Sequence, residues 1–172
     1  MINYGMCYID PRQKRIWVNI HKNASTSMKA LCQKLGWQLD WFNKNTKLKN
    51  YEALVVTRDP IDRWISGFCQ YYHGKDLNSL NESIFDTITF DHHTGYQWDY
   101  VKELSNIVKI HLDDNFNIKV KKHFGIEPIV DNTVAESKTK QNIKQRLLEI
   151  LDRDRLTEYF KEDFKFVYDI RI

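Results

Sequence analysis

Lys22 stands just ahead of a cluster of small and hydroxylated residues, in the stretch IWVNIHKNASTSM that runs from Ile16 to Met28. The lysine supplies a formal charge, Ser25, Thr26 and Ser27 supply hydroxyl donors, and small side chains let the backbone approach a ligand closely. At the start of a helix, where the first N–H groups lack intrahelical partners and the dipole favours negative charge, these residues are suited to cradle a phosphate-like anion. The order is not that of a Walker A loop, whose lysine follows a glycine-rich turn; here the lysine comes first and no glycine is present. Taken alone, Ser25–Ser27 reads as an ordinary helix cap. A second cation, Arg58, follows 36 positions later (58 − 22). Ser66 comes eight after that (66 − 58), about two helical turns on, so the two are spaced to grip a second phosphate. Arg58 also reads as an ion-pair partner of Asp59 or Asp62.

The elements that must position these groups follow from periodicity. Arg15–Ile20 is β-branched and aromatic, as a strand is. Met28, Leu31, Cys32 and Leu35 then recur at helical spacing, with Gly36 placed to stop the helix. Ala53–Thr57 is a short apolar run of the kind buried on both faces of a parallel sheet. Asp59 and Pro60 are suited to cap and open a second helix whose apolar stripe is Ile61, Trp64, Ile65, Phe68 and Tyr72. Residues 74–94 read as loop with one short helix, Asn106–Leu112 as a third strand, and Asn115–Phe124 as a helix ended by Gly125. Thr139–Leu151 and Arg153–Phe166 read as two closing helices. Alternating strands and helices predict a three-layer α/β/α fold with a mostly parallel central sheet. In such sheets ligands sit beyond the carboxyl ends of the strands, where both the Lys22 and the Arg58 loops fall.

KNASTSM followed by VVTRDPIDRWISGF resembles the two cofactor-binding motifs of the sulfotransferases that use 3′-phosphoadenosine-5′-phosphosulfate (PAPS), and is most similar to the carbohydrate sulfotransferases of the uronyl 2-O type. HTGYQWDY, His93 to Tyr100, resembles the family's His-x-x-Pro-Gln segment with Tyr96 in place of proline. DNTVAESKTK resembles a later cofactor loop, and LTEYFKEDFKFVYDI the closing helix. The resemblance implies a P-loop NTPase-like sulfotransferase fold filling one domain, 1–172. It implies that Lys22, Asn23, Ala24, Ser25, Thr26 and Ser27 wrap the 5′-phosphosulfate, that Arg58 and Ser66 grip the 3′-phosphate, and that Lys138 joins them from the later loop. Adenosine 3′,5′-bisphosphate (PAP) would be the product. Lys22 is the expected electrostatic catalyst and His93, with His92 as second choice, the expected base. His21 stands where the family has proline, either as a base or as a filler of that place. No metal is expected, since lysine and backbone donors neutralise the leaving group. The acceptor is a hydroxyl, with carbohydrate favoured over a protein or small alcohol. A P-loop kinase or NTPase, and a catalytically inactive nucleotide-binding module, are the alternatives.

Composition narrows the rest. The 172 residues suffice for one domain with a real core. A net charge of +3 falls short of a dedicated nucleic-acid binder. Lysines gather at Lys119, Lys121 and Lys122 and at Lys138, Lys140, Lys144 and Arg146, as a solvated helix face or a polyanion groove. Three separated cysteines suggest neither a disulfide framework nor a zinc site. The N-terminus lacks a signal-peptide core and no run is long enough to span a bilayer, so a cytoplasmic protein is expected. Asn23-Ala24-Ser25 matches a glycosylation acceptor that would lie inside the cradle, and is read as unused. Tyr71, Tyr72, Tyr96 and Trp98 are suited to stack on sugar rings or to fill the core. The short chain is compatible with a homo-oligomer whose second subunit completes the cleft.

Overall fold

The computed structural model describes residues 5–128 and 137–170. Five strands form one sheet: β1 (Met6–Asp10), β2 (Arg15–Val18), β3 (Gln38–Trp41), β4 (Glu52–Thr57) and β5 (Asn106–His111), in the order β3-β1-β2-β4-β5. Six α-helices accompany them among the described residues: α1 (Ser25–Lys34), α2 (Pro60–Tyr71), α3 (Phe116–Phe124), α4 (Lys138–Glu149), α5 (Arg153–Tyr159) and α6 (Lys161–Tyr168). The fold is therefore mixed α/β.

The expectation of a mostly parallel sheet holds for strand direction, since β2, β3, β4 and β5 run one way and β1 alone is reversed, but only the β2–β4 and β4–β5 pairings are parallel. β2, β4 and β5 run parallel, with Trp17 opposite Leu54 and Leu54 opposite Val108. β1 pairs antiparallel with both β2 and β3. For the β1–β2 pair the physical reason is the short link from Asp10 to Arg15, which permits only a hairpin, whereas parallel neighbours need a longer crossover.

The chain divides into two compact units, Met1–Arg58 with Gln97–Asp131 and Asp59–Tyr96 with Asn132–Ile172. In the first, alternation along the strands puts Tyr8, Trp17, Leu54, Val56 and Ile110 on one face. There they pack with Met28, Leu31 and Cys32 of α1 and Phe116, Val120 and Phe124 of α3. Ile16, Val18, Ala53 and Val55, on the opposite face, are buried as well, which is why these strands read as continuous apolar runs. Gly125 ends α3 in the left-handed region at φ 80°.

The second unit is built on α2. Its stripe of Ile61, Trp64, Ile65 and Phe68 packs with Leu80, Phe85 and Ile88 and with Ile143, Leu147, Leu156 and Phe160 of the closing helices. The expected single helix from Arg153 is two, because the chain turns at Phe160, which is fully buried there. Residues 74–94 hold two short 3-10 turns, Leu77–Ser79 and Glu82–Asp86, begun by the side chains of Asp76 and Asn81. The cysteines are buried thiols in β1, α1 and α2. Among the described residues no helix is long and apolar enough to cross a membrane.

Candidate functional site

The cradle forms in the first unit, between β2 and α1. Lys22 and Ala24 have positive φ, 68° and 54°, a conformation that costs non-glycine residues about 1–2 kcal/mol each and persists only where the surroundings impose it. This contortion carries the chain from the strand into the helix within a few residues. α1 then starts with no side-chain cap, and its first internal bond runs from Met28 N–H to the Ala24 carbonyl. The N–H groups of Ser25, Thr26 and Ser27 lie ahead of that bond, as an anion requires.

What imposes the conformation is a set of buried side-chain bonds. Asn23, at the centre of the loop and 1% exposed, donates from Nδ2 to the Val56 carbonyl at 2.8 Å and to Gln97 Oε1 at 2.7 Å. Its Oδ1 is buried without a protein partner. Arg58, at the carboxyl end of β4, donates from Nη1 to the Lys22 carbonyl at 3.3 Å. The lysine loop and the arginine, distant in sequence, thus meet at the carboxyl ends of adjacent parallel strands. At the end of the third, His111 Nδ1 lies 2.8 Å from Thr57 Oγ1. His21 meets the Tyr100 ring edge-on at 6.3 Å.

The second unit holds the remaining expected residues. His92 and His93 lie on a loop docked against α2. Arg63, 1% exposed, donates to the carbonyls of Gly95 and, at 3.4 Å, of His92. One turn further on, Gly67 leaves the space the loop fills: a Cβ there would come within 2.2 Å of the His93 carbonyl oxygen. Ser66 is three positions from Arg63, on the same side of the helix. His93 Nδ1 lies 3.1 Å from Asp91 Oδ2, and its N–H donates to Asp91 Oδ1 at 2.8 Å. Burial pushes the Asp91 carboxyl up, and the hydrogen bonds and charge from His93 more than offset it, holding it below the usual 3.8. Burial, with the neighbouring charge of His93, holds His92 below its usual 6.5. With Nδ1–H directed at a carboxylate, the basic lone pair of His93 resides on Nε2.

The structure therefore brings Lys22–Ser27 together with Arg58 in one unit, and places Ser66, His92 and His93 in the other. Lys138 is exposed at the first position of α4, also in the second unit. The preceding part of the later loop, 131–136, lies outside the described residues. The sequence reading missed the roles of three residues: Gln97, Asp91 and Arg63. Asp91-x-His93 spacing was a usable signal for the second; the others act over separations that no local pattern encodes. Of the candidate stacking residues, Tyr72 and Tyr96 pack in the core of the second unit, Tyr96 on Tyr159 at 5.1 Å, while Trp98 is 36% exposed. Lys119 pairs with Asp113 and Lys121 with Glu127, as a solvated face does. Comparison with family models, curated proteins and solved structures found no match to the chain.

Proposed function

We propose that the chain is a sulfotransferase that binds PAPS at the β2–α1 loop and moves its sulfuryl group to an acceptor hydroxyl, with a carbohydrate the favoured acceptor. The observation that carries this reading is the hydrogen bond between Arg58 and the Lys22 carbonyl, which sets a second cation beside an uncapped helix start. The donor set fits the ligand: backbone amides, hydroxyls and a lysine for one anionic group, an arginine for another. The finer fold reading, a three-layer P-loop-like sulfotransferase architecture, belongs to the same proposal and draws support from the parallel β2-β4-β5 half of the sheet.

PAPS, when bound, supplies a sulfuryl group whose S–O bond to the 5′-phosphate breaks as the acceptor oxygen bonds to sulfur, leaving negative charge on the bridging oxygen. The amides and hydroxyls of Ser25, Thr26 and Ser27 hold the phosphosulfate end. Lys22 stabilises the developing charge, a role worth about 3 kcal/mol at comparable sites. Arg58 holds the 3′-phosphate, and by resemblance Ser66 and Lys138 contribute to the same grip. His93 takes the acceptor's proton at Nε2, and Asp91 fixes its tautomer and stabilises the cation that forms. A reducing, cytoplasmic setting is part of this reading.

The test is thermal unfolding of wild type, Lys22→Ala and Arg58→Ala with adenosine 3′,5′-bisphosphate, beside ATP with Mg²⁺. At a hundredfold excess over Kd, binding adds about 2.7 kcal/mol, a rise of roughly 5–10 °C for a chain of this size. A rise with the bisphosphate, absent with ATP and lost in Arg58→Ala, is expected. A rise with ATP alone makes the chain a kinase or NTPase instead, and no rise with either overturns nucleotide binding at this loop.

A further inference from the structure

Gln97 is fully buried at 0% exposure and lies 39 residues from Arg58 and 74 from Asn23 in sequence. Its Oε1 accepts from Asn23 Nδ2 at 2.7 Å and from Arg58 N–H at 3.2 Å, and its Nε2 donates to the Arg58 carbonyl at 2.8 Å. Both amide orientations are fixed by their backbone partners. Turning Gln97 over would set Oε1 against the Arg58 carbonyl and the amino group against Arg58 N–H and the Asn23 donor. Turning Asn23 over would set its oxygen against the Val56 carbonyl. One side chain therefore holds the backbone of Arg58 by both N–H and C=O, and through Asn23 holds the residue between the two positive-φ positions, Lys22 and Ala24.

We infer that Gln97 is the positioning residue that locks the lysine loop to the arginine loop and so sets the spacing of the anion-binding groups. The inference rests on the anion reading proposed above for what the locked loops hold. Its chemistry explains the residue type. Bridging an N–H, a C=O and an amide requires a group that both donates and accepts. A carboxylate would accept only, and its buried charge would partly neutralise Arg58 and Lys22, weakening the field offered to the ligand. A lysine or arginine would donate only. A neutral amide clamps both loops without competing for the ligand's place, and it also holds Lys22 and Ala24 in their costly conformation before any ligand arrives.

The experiment compares wild type with Gln97→Ala and the near-isosteric Gln97→Glu, which keeps the size should the alanine variant fail to fold. Amide hydrogen exchange in ligand-free protein reads the lock directly, and calorimetric titration with adenosine 3′,5′-bisphosphate reads its use. Exchange across residues 20–27 is expected to speed up about tenfold or more while residues 116–124 of α3 keep their wild-type rate. Bisphosphate affinity is expected to fall about tenfold, the usual effect of orphaning one buried polar group. Wild-type exchange across 20–27 in the variants, or an equal rise in 20–27 and 116–124, overturns the inference, as does wild-type bisphosphate affinity in variants whose 20–27 exchange has risen. Expected exchange in a wild type that does not bind the bisphosphate instead overturns the anion reading and leaves the lock between the loops standing.

Discussion

Three helices follow parallel strands among the described residues, α1 after β2, α2 after β4 and α3 after β5, and the first two begin in opposite ways. α2 is closed by its own sequence: Asp59 Oδ1 accepts from the N–H groups of Ile61 and Asp62, both at 3.0 Å, and Pro60 fills the first position. α1 is left open, with Ala24 in the left-handed region ahead of it and no side chain serving its amides. A carboxylate at a helix start satisfies the amides and neutralises the dipole, so that end has little left for an anion. The same strand-loop-helix pattern thus yields one structural junction and one candidate ligand site, and the capping residue makes the difference.

The largest effect that would sharpen this contrast is on α2. Asp59→Ala removes the cap and the partner of Tyr168, whose Oη donates to Asp59 Oδ2 at 2.8 Å. Stability should fall by about 2 kcal/mol, lowering the unfolding midpoint roughly 4–8 °C, while bisphosphate affinity does not fall. If affinity collapses with stability, the two helix starts are not separate in function. Next comes Ala24→Gly, which relieves the left-handed strain at φ 54°. The midpoint should rise by about 1–2 °C, since the gain in the folded state is partly offset by a freer unfolded chain, and titration should show weaker bisphosphate binding from a looser loop. A drop in the midpoint would mean the alanine side chain contributes more to packing than its backbone costs.

The smallest effect is alkaline. Burial, with the hydrogen bond to Asp59, pushes the Tyr168 phenol from 10.0 up to about 12. As pH rises past 10 the unfolded chain loses that proton first, so the stabilisation is complete below pH 10 and disappears between 10 and about 12. Tyr168 is 49% exposed, so solvent screening keeps the effect modest. Tyr168→Phe should cost less than about 1 kcal/mol at pH 8 and show a shallower loss of midpoint toward pH 11.

How much of this was legible depended on the range of the interaction. β2 and β4 could be read because burial on both faces selects unbroken apolar runs such as ALVVT, whereas β5, in which only Ile110 is buried, was legible from its β-branched residues. β1 and β3 could not: β3, Gln38–Trp41, is a half-exposed edge strand with Leu39 55% exposed, so burial imposes no pattern on it. The cap at Asp59 and the end at Gly125 were visible because capping is local chemistry. The cradle was visible as residue types, but its conformation was not, since positive φ at Lys22 and Ala24 carries no glycine to announce it. Gln97 was legible only as part of the segment HTGYQWDY; its tie to Asn23 and Arg58 is a tertiary fact. That residues 59–96 cluster with 132–172 was likewise beyond pattern reading, because contacts rather than composition draw that boundary.

The buried thiols supply a reporter that needs no label. Burial pushes Cys7 up to about 12 and raises Cys32 further, so the nucleophilic thiolate is scarce at neutral pH while the fold is closed. Cys7 and Cys32 belong to the sheet-bearing unit and Cys69 to the unit built on α2. An alkylating reagent followed by mass spectrometry therefore times the opening of each unit separately, and a nucleotide that seals only the first should slow the modification of Cys7 and Cys32 more than that of Cys69.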